Sequence, residues 1–304
     1  MSYQVLARKY RPTNFEEVVG QDHVVQALSN SISQDRIHQA YLLAGTRGVG
    51  KTTIARILAK CLNCQSEENP VTIPCDKCNV CEEIKVGRHL EFLEIDAASR
   101  TGVDDMREII DNVQYKPANG LYKIYLIDEV HMLSNAAFNA FLKSLEEPPK
   151  HVVFILATTE KHKILPTILS RCQIFDFHRI TVPDIVSSLQ EIAVKEGVKT
   201  TPEALHVIAA KADGALRDAL SMFDQLVAFA GKELTYDIVT EQLHVLDHDT
   251  YFEIVDFALN TNIPDSLLLF DSVLARGFDA RHFLSGLGNH LRSLMVCRDQ
   301  RTLK

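Results

Sequence analysis

Residues 1–180 predict an α/β domain built on a parallel sheet, and residues 181–304 predict helices alone. Two observations carry this. Five short apolar runs, YLLAG (41–45), FLEID (92–96), KIYLID (123–128), VVFILATT (152–159) and QIFDF (173–177), have the length of strands and alternate with helix-like stretches. Strands separated by helices imply a parallel sheet covered on both faces. From Pro183 onward only helical periodicity remains, in PDIVSSLQEIAVKEG, PEALHVIAAKA and GALRDALSMFDQLVAFAG, with Pro near helix starts and Gly at helix ends.

The 304 residues are enough for two or three domains with real cores, and 46% hydrophobic with 24% charged residues is an ordinary globular composition. A net charge of −8 excludes a bulk basic nucleic-acid binder, so any contact with DNA has to come from a local patch or from an assembly. No apolar run approaches the ~20 residues a membrane span needs. The start, MSYQVLARKYRP, has no secretory apolar core. A cytoplasmic protein with no membrane partner is expected.

The first strand runs directly into GTRGVGKTT, residues Gly45, Thr46, Arg47, Gly48, Val49, Gly50, Lys51, Thr52 and Thr53, and then into the helical IARILAKCL. GxxxxGKT between strand and helix is a phosphate loop. Its glycines let backbone N–H groups and the helix N-terminus face phosphate oxygens. Lys51 would reach the terminal phosphates of ATP, and Thr52 would hold Mg²⁺.

The helix leaving this loop ends in CLNCQSEENPVTIPCDKCNVCEEI. Cys64, Cys75, Cys78 and Cys81 have the spacing C-x10-C-x2-C-x2-C, which suits a closed, structural four-thiolate Zn²⁺ site. Clustered cysteines in a chain with no signal peptide favour metal over disulfides. Cys61 also forms a CxxC with Cys64. Because Cys61 falls on the helix that begins at Lys51, Cys64 is taken as the fourth ligand.

After the second strand, DAASRTGVDDMREIIDNV reads as a loop and helix, with Thr101 and Asp104 spaced as a capping box. Arg100 and Arg107 on it are candidates for DNA backbone contacts, and a solvated helix face is the competing reading. The third strand, KIYLIDEVHML, ends in acid. Asp128 would hold Mg²⁺ at the carboxyl end of the sheet, and Glu129 is the candidate base that polarises the attacking water. An ordinary helix N-cap with a first-turn acid is the alternative for this pair.

DEVH, VVFILATTE and SRC together resemble the AAA+ ATPases. In that family the polar residue ending the next strand senses the γ-phosphate, a place held here by Thr158, with Thr159 as the alternative. Within the AAA+ proteins, ARKYRPTNFEEVVGQ, GTRGVGKTT, EIDAASRTGVDDMREI, YLIDEVHMLS, LKSLEEPP, ILATTEKHKILPTILSRC and GALRDALS resemble the gamma/tau family of bacterial DNA polymerase III, the ATPase motor of the clamp loader. The likeness covers about residues 2–230.

This resemblance implies an AAA+ domain over 1–180 with an inserted zinc module at about 61–84, a helical lid over 181–243, and the first part of a helical collar over 244–304. It also implies that the chain is a truncated form. Tyr10, Arg11 and Val19 would cradle adenine, Arg217 would be the lid arginine that contacts nucleotide, and Arg171 of SRC would be an arginine finger. The Arg171 guanidinium would point outwards, acting in trans on a neighbour's ATP. Implied partners are delta and delta-prime subunits, further copies of the chain, the sliding clamp, primer–template DNA and, through the assembly, single-strand-binding protein. A non-hydrolysing subunit of the delta-prime type is the alternative. A Holliday-junction or replication-restart helicase is disfavoured by the cysteine insertion.

Overall fold

Alternation within each apolar run decides which side chains cover which face of the sheet. The computed structural model describes residues 3–66, 70–99, 109–243, 245–246, 248–298 and 301, without the side chains at 135, 248 and 282. Strands β1 (Ala40–Ala44), β2 (Phe92–Asp96), β3 (Lys123–Asp128), β4 (Val152–Thr158) and β5 (Gln173–Asp176) form a five-stranded sheet in the order β2-β3-β4-β1-β5. All its pairings are parallel. The runs therefore became strands within a residue of the expected ends.

Tyr41 and Leu43, Ile124 and Leu126, and Val153 and Ile155 lie in one core. Their neighbours Ala40 and Leu42, Tyr125 and Ile127, and Phe154 and Leu156 lie in the other. Every residue of the central strand β4 is buried. A one-residue slip would exchange the two sets, so two filled cores fix the register.

The chain-ordered helices α1 (Leu6–Lys9), α2 (Asp22–Ser33), α3 (Lys51–Asn63), α4 (Asn79–Val86), α5 (Asn135–Glu146) and α6 (Pro166–Leu169) fill the connections. Helices α2 and α3 cover one face with Val24, Leu28, Ile54 and Leu58. Helix α5 covers the other with Phe138, Phe141 and Leu145, and α6 adds Ile168. Phe141 meets Phe154 edge to face, with ring centroids 4.8 Å apart; such a pair adds ~0.5–1.5 kcal/mol to the area it buries. Helix α5 starts where Ser134 Oγ accepts the Ala137 N–H at 3.2 Å, satisfying a donor that the helix itself cannot.

Beyond the sheet follow α7 (Val182–Glu196), β6 (Lys199–Thr200), α8 (Pro202–Lys211), α9 (Leu216–Ala230), β7 (Glu233–Leu234), α10 (Tyr236–Gln242), α11 (His248–Leu259), α12 (Ile263–Ala275) and α13 (Ala280–Cys297). The expectation of helices alone after Pro183 needs correction, because β6 and β7 pair in parallel. Two-residue strands are too short to leave an alternating signature in sequence. The chain divides into two compact units. One is Met1–Gly197 with Ala209–Gln225, and the other is Val198–Ile208 with Leu226–Lys304. The second unit has a small core of Leu246, Val273 and Phe283, against which Tyr251 and Phe270 pack. Among the described residues no helix is long and apolar enough to cross a membrane.

Tyr125 stacks near Phe154 in the second core, fully buried, and its hydroxyl has no hydrogen-bond partner among the described residues. Leaving such a group unsatisfied costs ~1–3 kcal/mol. Tyr125→Phe should therefore leave the urea midpoint unchanged or raise it. A clear fall in the midpoint would show that the hydroxyl has a partner.

Candidate functional site

The parallel register places Ala44 opposite Thr158 and Asp96 opposite Asp128, so the ends of β1, β3 and β4 open onto one edge of the sheet. There the Gly45 N–H donates to the Thr158 carbonyl at 3.1 Å and starts the loop. A Cβ on Gly45 would stand 2.7 Å from Phe177 Cβ and 2.9 Å from the Phe177 carbonyl oxygen, so only glycine fits. Gly48 has φ +80°, and a Cβ there would lie 2.9 Å from Ala215 Cβ. This close approach brings the start of α9 to the loop, where the Arg217 N–H points at the Gly48 carbonyl from 3.4 Å.

Lys51 opens α3 and is 6% exposed. Its ammonium donates to the carbonyls of Gly45 at 2.7 Å and Thr46 at 2.8 Å. Burial pushes its pKa below the ordinary lysine value, while Glu129 and Asp128 oppose the shift. A buried cation hydrogen-bonded to neutral carbonyls can exchange them for phosphate oxygens, which match its charge. Thr52 Oγ1 donates to Asp128 Oδ2 at 3.0 Å, and the Glu129 N–H donates to the other carboxylate oxygen at 3.0 Å. The two oxygens suited to Mg²⁺, a hydroxyl and a carboxylate, therefore already touch.

Glu129 sits at φ 49° and ψ 44°, the left-handed region that a side chain rarely adopts. Such a conformation costs ~1–3 kcal/mol and persists where the surroundings impose it. Here the Glu129 carboxylate accepts from the Thr159 N–H at 3.2 Å and from Thr159 Oγ1 at 2.9 Å. Thr158 is fully buried, and its hydroxyl lies 2.9 Å from His131 Nδ1. Thr158, with Thr159 as its alternative, is the residue expected to sense the γ-phosphate, and the structure gives the two threonines different contacts. His131 and Glu160, which complete this network, were not identified from sequence. DEVH and ATTE mark the two segments, but nothing in their spacing shows that the ring folds back onto β4.

One cavity joins the loop to other segments of the chain. Tyr10, Arg11 and Val19 line it from the N-terminal segment, Arg47 through Thr53 from the loop, Asp128 and Glu129 from β3, and Leu216, Arg217 and Leu220 from α9. Tyr10 donates its hydroxyl to Glu196 at 2.5 Å, which fixes its ring. Burial lowers the pKa of Arg11, and the neighbouring guanidinium groups of Arg56, Arg217 and Arg8 lower it further against the opposing carboxylate of Glu94. Crowded cations favour an anionic guest. Of the residues expected to bind nucleotide, Gly45 and Thr46 do not line this cavity.

Neither Thr158 nor Arg171 lines this cavity. Arg171 follows α6, with NH1 donating to the Thr167 carbonyl at 2.6 Å and NH2 to Glu146 Oε1 at 2.7 Å. Its guanidinium is thus engaged within the chain rather than pointing free, because Glu146 at the end of α5 is within reach. An exposed pair of this kind is worth ~0–1 kcal/mol and is readily exchanged. Burial pushes the Cys172 thiol up to about 11, as for an inert cysteine. Arg100, Thr101, Asp104 and Arg107 lie outside the described residues.

The sulfur atoms of Cys64, Cys75, Cys78 and Cys81 lie within 4.8 Å of one another. Tetrahedral thiolates ~2.3 Å from Zn²⁺ would be ~3.8 Å apart, so the four fit one ion with a small contraction. The Cys75 N–H points at Cys64 Sγ from 3.4 Å, and the Cys78 N–H at Cys75 Sγ from 3.3 Å. Hydrogen bonds from backbone N–H groups favour thiolate, and they bring Cys75 down to about 6. Cys61 differs: it is fully buried on α3, its thiol faces the Thr72 carbonyl, and burial pushes it up to about 12. Metal analysis should therefore find metal retained in Cys61→Ser and lost in Cys75→Ser. Loss of metal from Cys61→Ser alone would overturn the ligand set.

A family model described as "DNA polymerase III, delta subunit" matches residues 20–181, and one described as "DNA polymerase III clamp loader subunit, ATPase lid domain" matches residues 184–232. The chain is 50% identical over 279 residues to DNA polymerase III subunit tau of Escherichia coli (strain K12), covering 92% of this chain and 43% of that protein. It thus spans less than half the length of that relative. It is 45% identical over 298 residues to DNA polymerase III subunit gamma of Buchnera aphidicola subsp. Schizaphis graminum, covering 98% of this chain and 82% of the relative. Among solved structures, the Thermotoga maritima RuvB Holliday junction branch migration motor superposes with a TM-score of 0.57 at 20% identity, covering 83% of this chain and 80% of RuvB. That likeness establishes the fold alone, a parallel-sheet α/β fold like that of RuvB. With the gamma subunit matched over most of its own length, the chain belongs to the gamma/tau family of DNA polymerase III subunits.

Proposed function

We propose that the chain is the ATP-driven motor of a replicative clamp loader, which binds and hydrolyses ATP to open a sliding clamp and place it on primer–template DNA. The observation that carries this reading is the convergence of Lys51, Thr52, Asp128, Glu129 and Arg217 on one cavity. Lys51 would meet the β- and γ-phosphates, replacing the Gly45 and Thr46 carbonyls. Mg²⁺ held by Thr52 and Asp128 would neutralise charge on the phosphate oxygens. Glu129, held by Thr159, would orient and polarise the attacking water. Thr158 would sense the γ-phosphate, Arg217 would report nucleotide to the lid, and Tyr10, Arg11 and Val19 would enclose adenine. Zn²⁺ on the four cysteines would fold the insertion between α3 and α4 and take no part in hydrolysis.

In this reading residues 1–180 are the ATPase domain, 181–243 the lid and 244–304 the beginning of a collar. The chain works in the cytoplasm, in a ring with delta, delta-prime and further copies of itself, and meets single-strand-binding protein through the assembly. Arg171 would leave Glu146 for the γ-phosphate of the adjacent subunit, exchanging a weak surface pair for transition-state charge. The second reading, a non-hydrolysing subunit of the delta-prime type, is favoured by the delta-subunit match over residues 20–181. The intact GTRGVGKTT followed by Asp128 and Glu129 supports the motor instead.

The test is the ATPase rate of the assembled loader with and without clamp and primed DNA. Both together should stimulate the wild-type rate. Glu129→Gln should bind ATP yet lose ~10²–10⁴-fold in turnover. Arg171→Ala should bind ATP normally as an isolated chain and lose ~10³–10⁵-fold at the interfaces it serves. No hydrolysis under any condition would favour the delta-prime reading, and a rate indifferent to clamp and DNA would contradict the loader.

A further inference from the structure

A closed circuit of polar groups lies where β4 ends beside the turn Val130–Met132. The side chain of His131, in that turn, is 7% exposed. Its Nδ1 stands 2.9 Å from Thr158 Oγ1 and 3.4 Å from Glu129 Oε2. Its Nε2 stands 3.1 Å from Glu160 Oε2. The circuit closes because the Glu160 N–H donates to Thr158 Oγ1 at 3.0 Å. Lys163, 2.6 Å from the same Glu160 oxygen, helps hold that carboxyl below the usual range, so it is an ionised acceptor.

Both ring nitrogens face a carboxylate, which can only accept. In a singly protonated ring the shorter of the two contacts, Nε2 to Glu160 at 3.1 Å against Nδ1 to Glu129 at 3.4 Å, takes the proton on Nε2 and leaves Nδ1 as an acceptor. The Thr158 hydroxyl already receives the Glu160 N–H, and Thr158 is fully buried. Its own proton therefore goes to Nδ1. Held this way, the hydroxyl has no proton to offer a phosphate oxygen.

We propose that His131 is a positioning residue that holds the Thr158 hydroxyl in the nucleotide-free chain and ties its release to the Glu129 carboxylate. This rests on the reading of Thr158 as the phosphate-sensing group. When a γ-phosphate draws the hydroxyl proton, the Nδ1 lone pair is left facing Glu129 Oε2 with nothing between them. Two acceptors at that distance repel, which works against the two hydrogen bonds by which Thr159 holds the same oxygen and eases the carboxylate towards the cavity it lines. Sensing the phosphate and presenting the base then become one event.

Two measurements test this, and the first needs no ATPase activity. In the nucleotide-free chain labelled with ¹⁵N-imidazole histidine, with His131 assigned by its loss in His131→Gln, NMR should show the Nε2–H tautomer. Thr158→Val should shift its Nδ1 resonance. An Nδ1–H tautomer, or a His131 signal indifferent to Thr158→Val, would overturn the proposal whatever the chain's activity. In the ATPase assay, His131→Gln should lower kcat at least about tenfold with KM within about threefold, the signature of an interaction that acts after binding. His131→Asn, which can place an oxygen acceptor where Nδ1 stands, should recover part of that loss. The double variant with Thr158→Val should be no slower than the slower single, because the two residues act as a unit. Multiplying losses, or Gln outperforming Asn, would count against the assignment.

Discussion

The site depends on the alignment of strand ends that parallel pairing imposes. Ala44 of β1 lies opposite Thr158 of β4, and the Gly45 N–H closes the last rung on the Thr158 carbonyl. That bond sets where the backbone leaves the sheet and so where the loop, Lys51 and α3 begin. Because β3 pairs with β4 on the other side, Asp128 and Glu129 emerge at the same edge. The register cannot drift, since both faces of the sheet are filled by alternating residues. Two hydrophobic cores thus hold a polar site to a geometry that its own hydrogen bonds could not enforce.

Charge explains how a chain of net charge −8 can offer a site to an anion. Cations collect locally: Lys51 is buried where the loop enters α3, and Arg11 has Arg56, Arg217 and Arg8 as neighbours against the one carboxylate of Glu94. The low polarisability around them makes each worth more than a surface lysine. Asp128 and Glu129 stand at the β3 end of the cavity, where a divalent cation and a water would be needed. The separation of signs within one cavity is the feature that bulk composition conceals.

Most of the scaffold was legible because it is written in local patterns. Five apolar runs became the five strands, GTRGVGKTT became the loop, and the cysteine spacing became a cluster of four with Cys61 outside it. What escaped depends on contacts between distant segments or on conformations that the residue type does not advertise. Glu129 in the left-handed region looks like any acid in sequence, and Thr159 looked like a spare for Thr158. His131 reaches β4 only through the fold. Arg171 is paired with Glu146 because α5 and α6 pack together, a fact that a separation of 25 positions in sequence does not disclose. The pair β6 and β7 escaped because each is two residues long.

The central claim is that the cavity beneath α9 is a triphosphate site organised around Lys51. The most direct measurement is calorimetric titration of Mg²⁺–ATP into the folded wild-type chain and into Lys51→Ala. Charge-assisted bonds of ~1.5–3 kcal/mol each, lost to phosphate, correspond to ~10-fold to 10²-fold in affinity per bond. The account predicts saturable binding by the wild type and a loss of about 10²-fold or more in the variant. Equal affinity in a folded Lys51→Ala chain would contradict it.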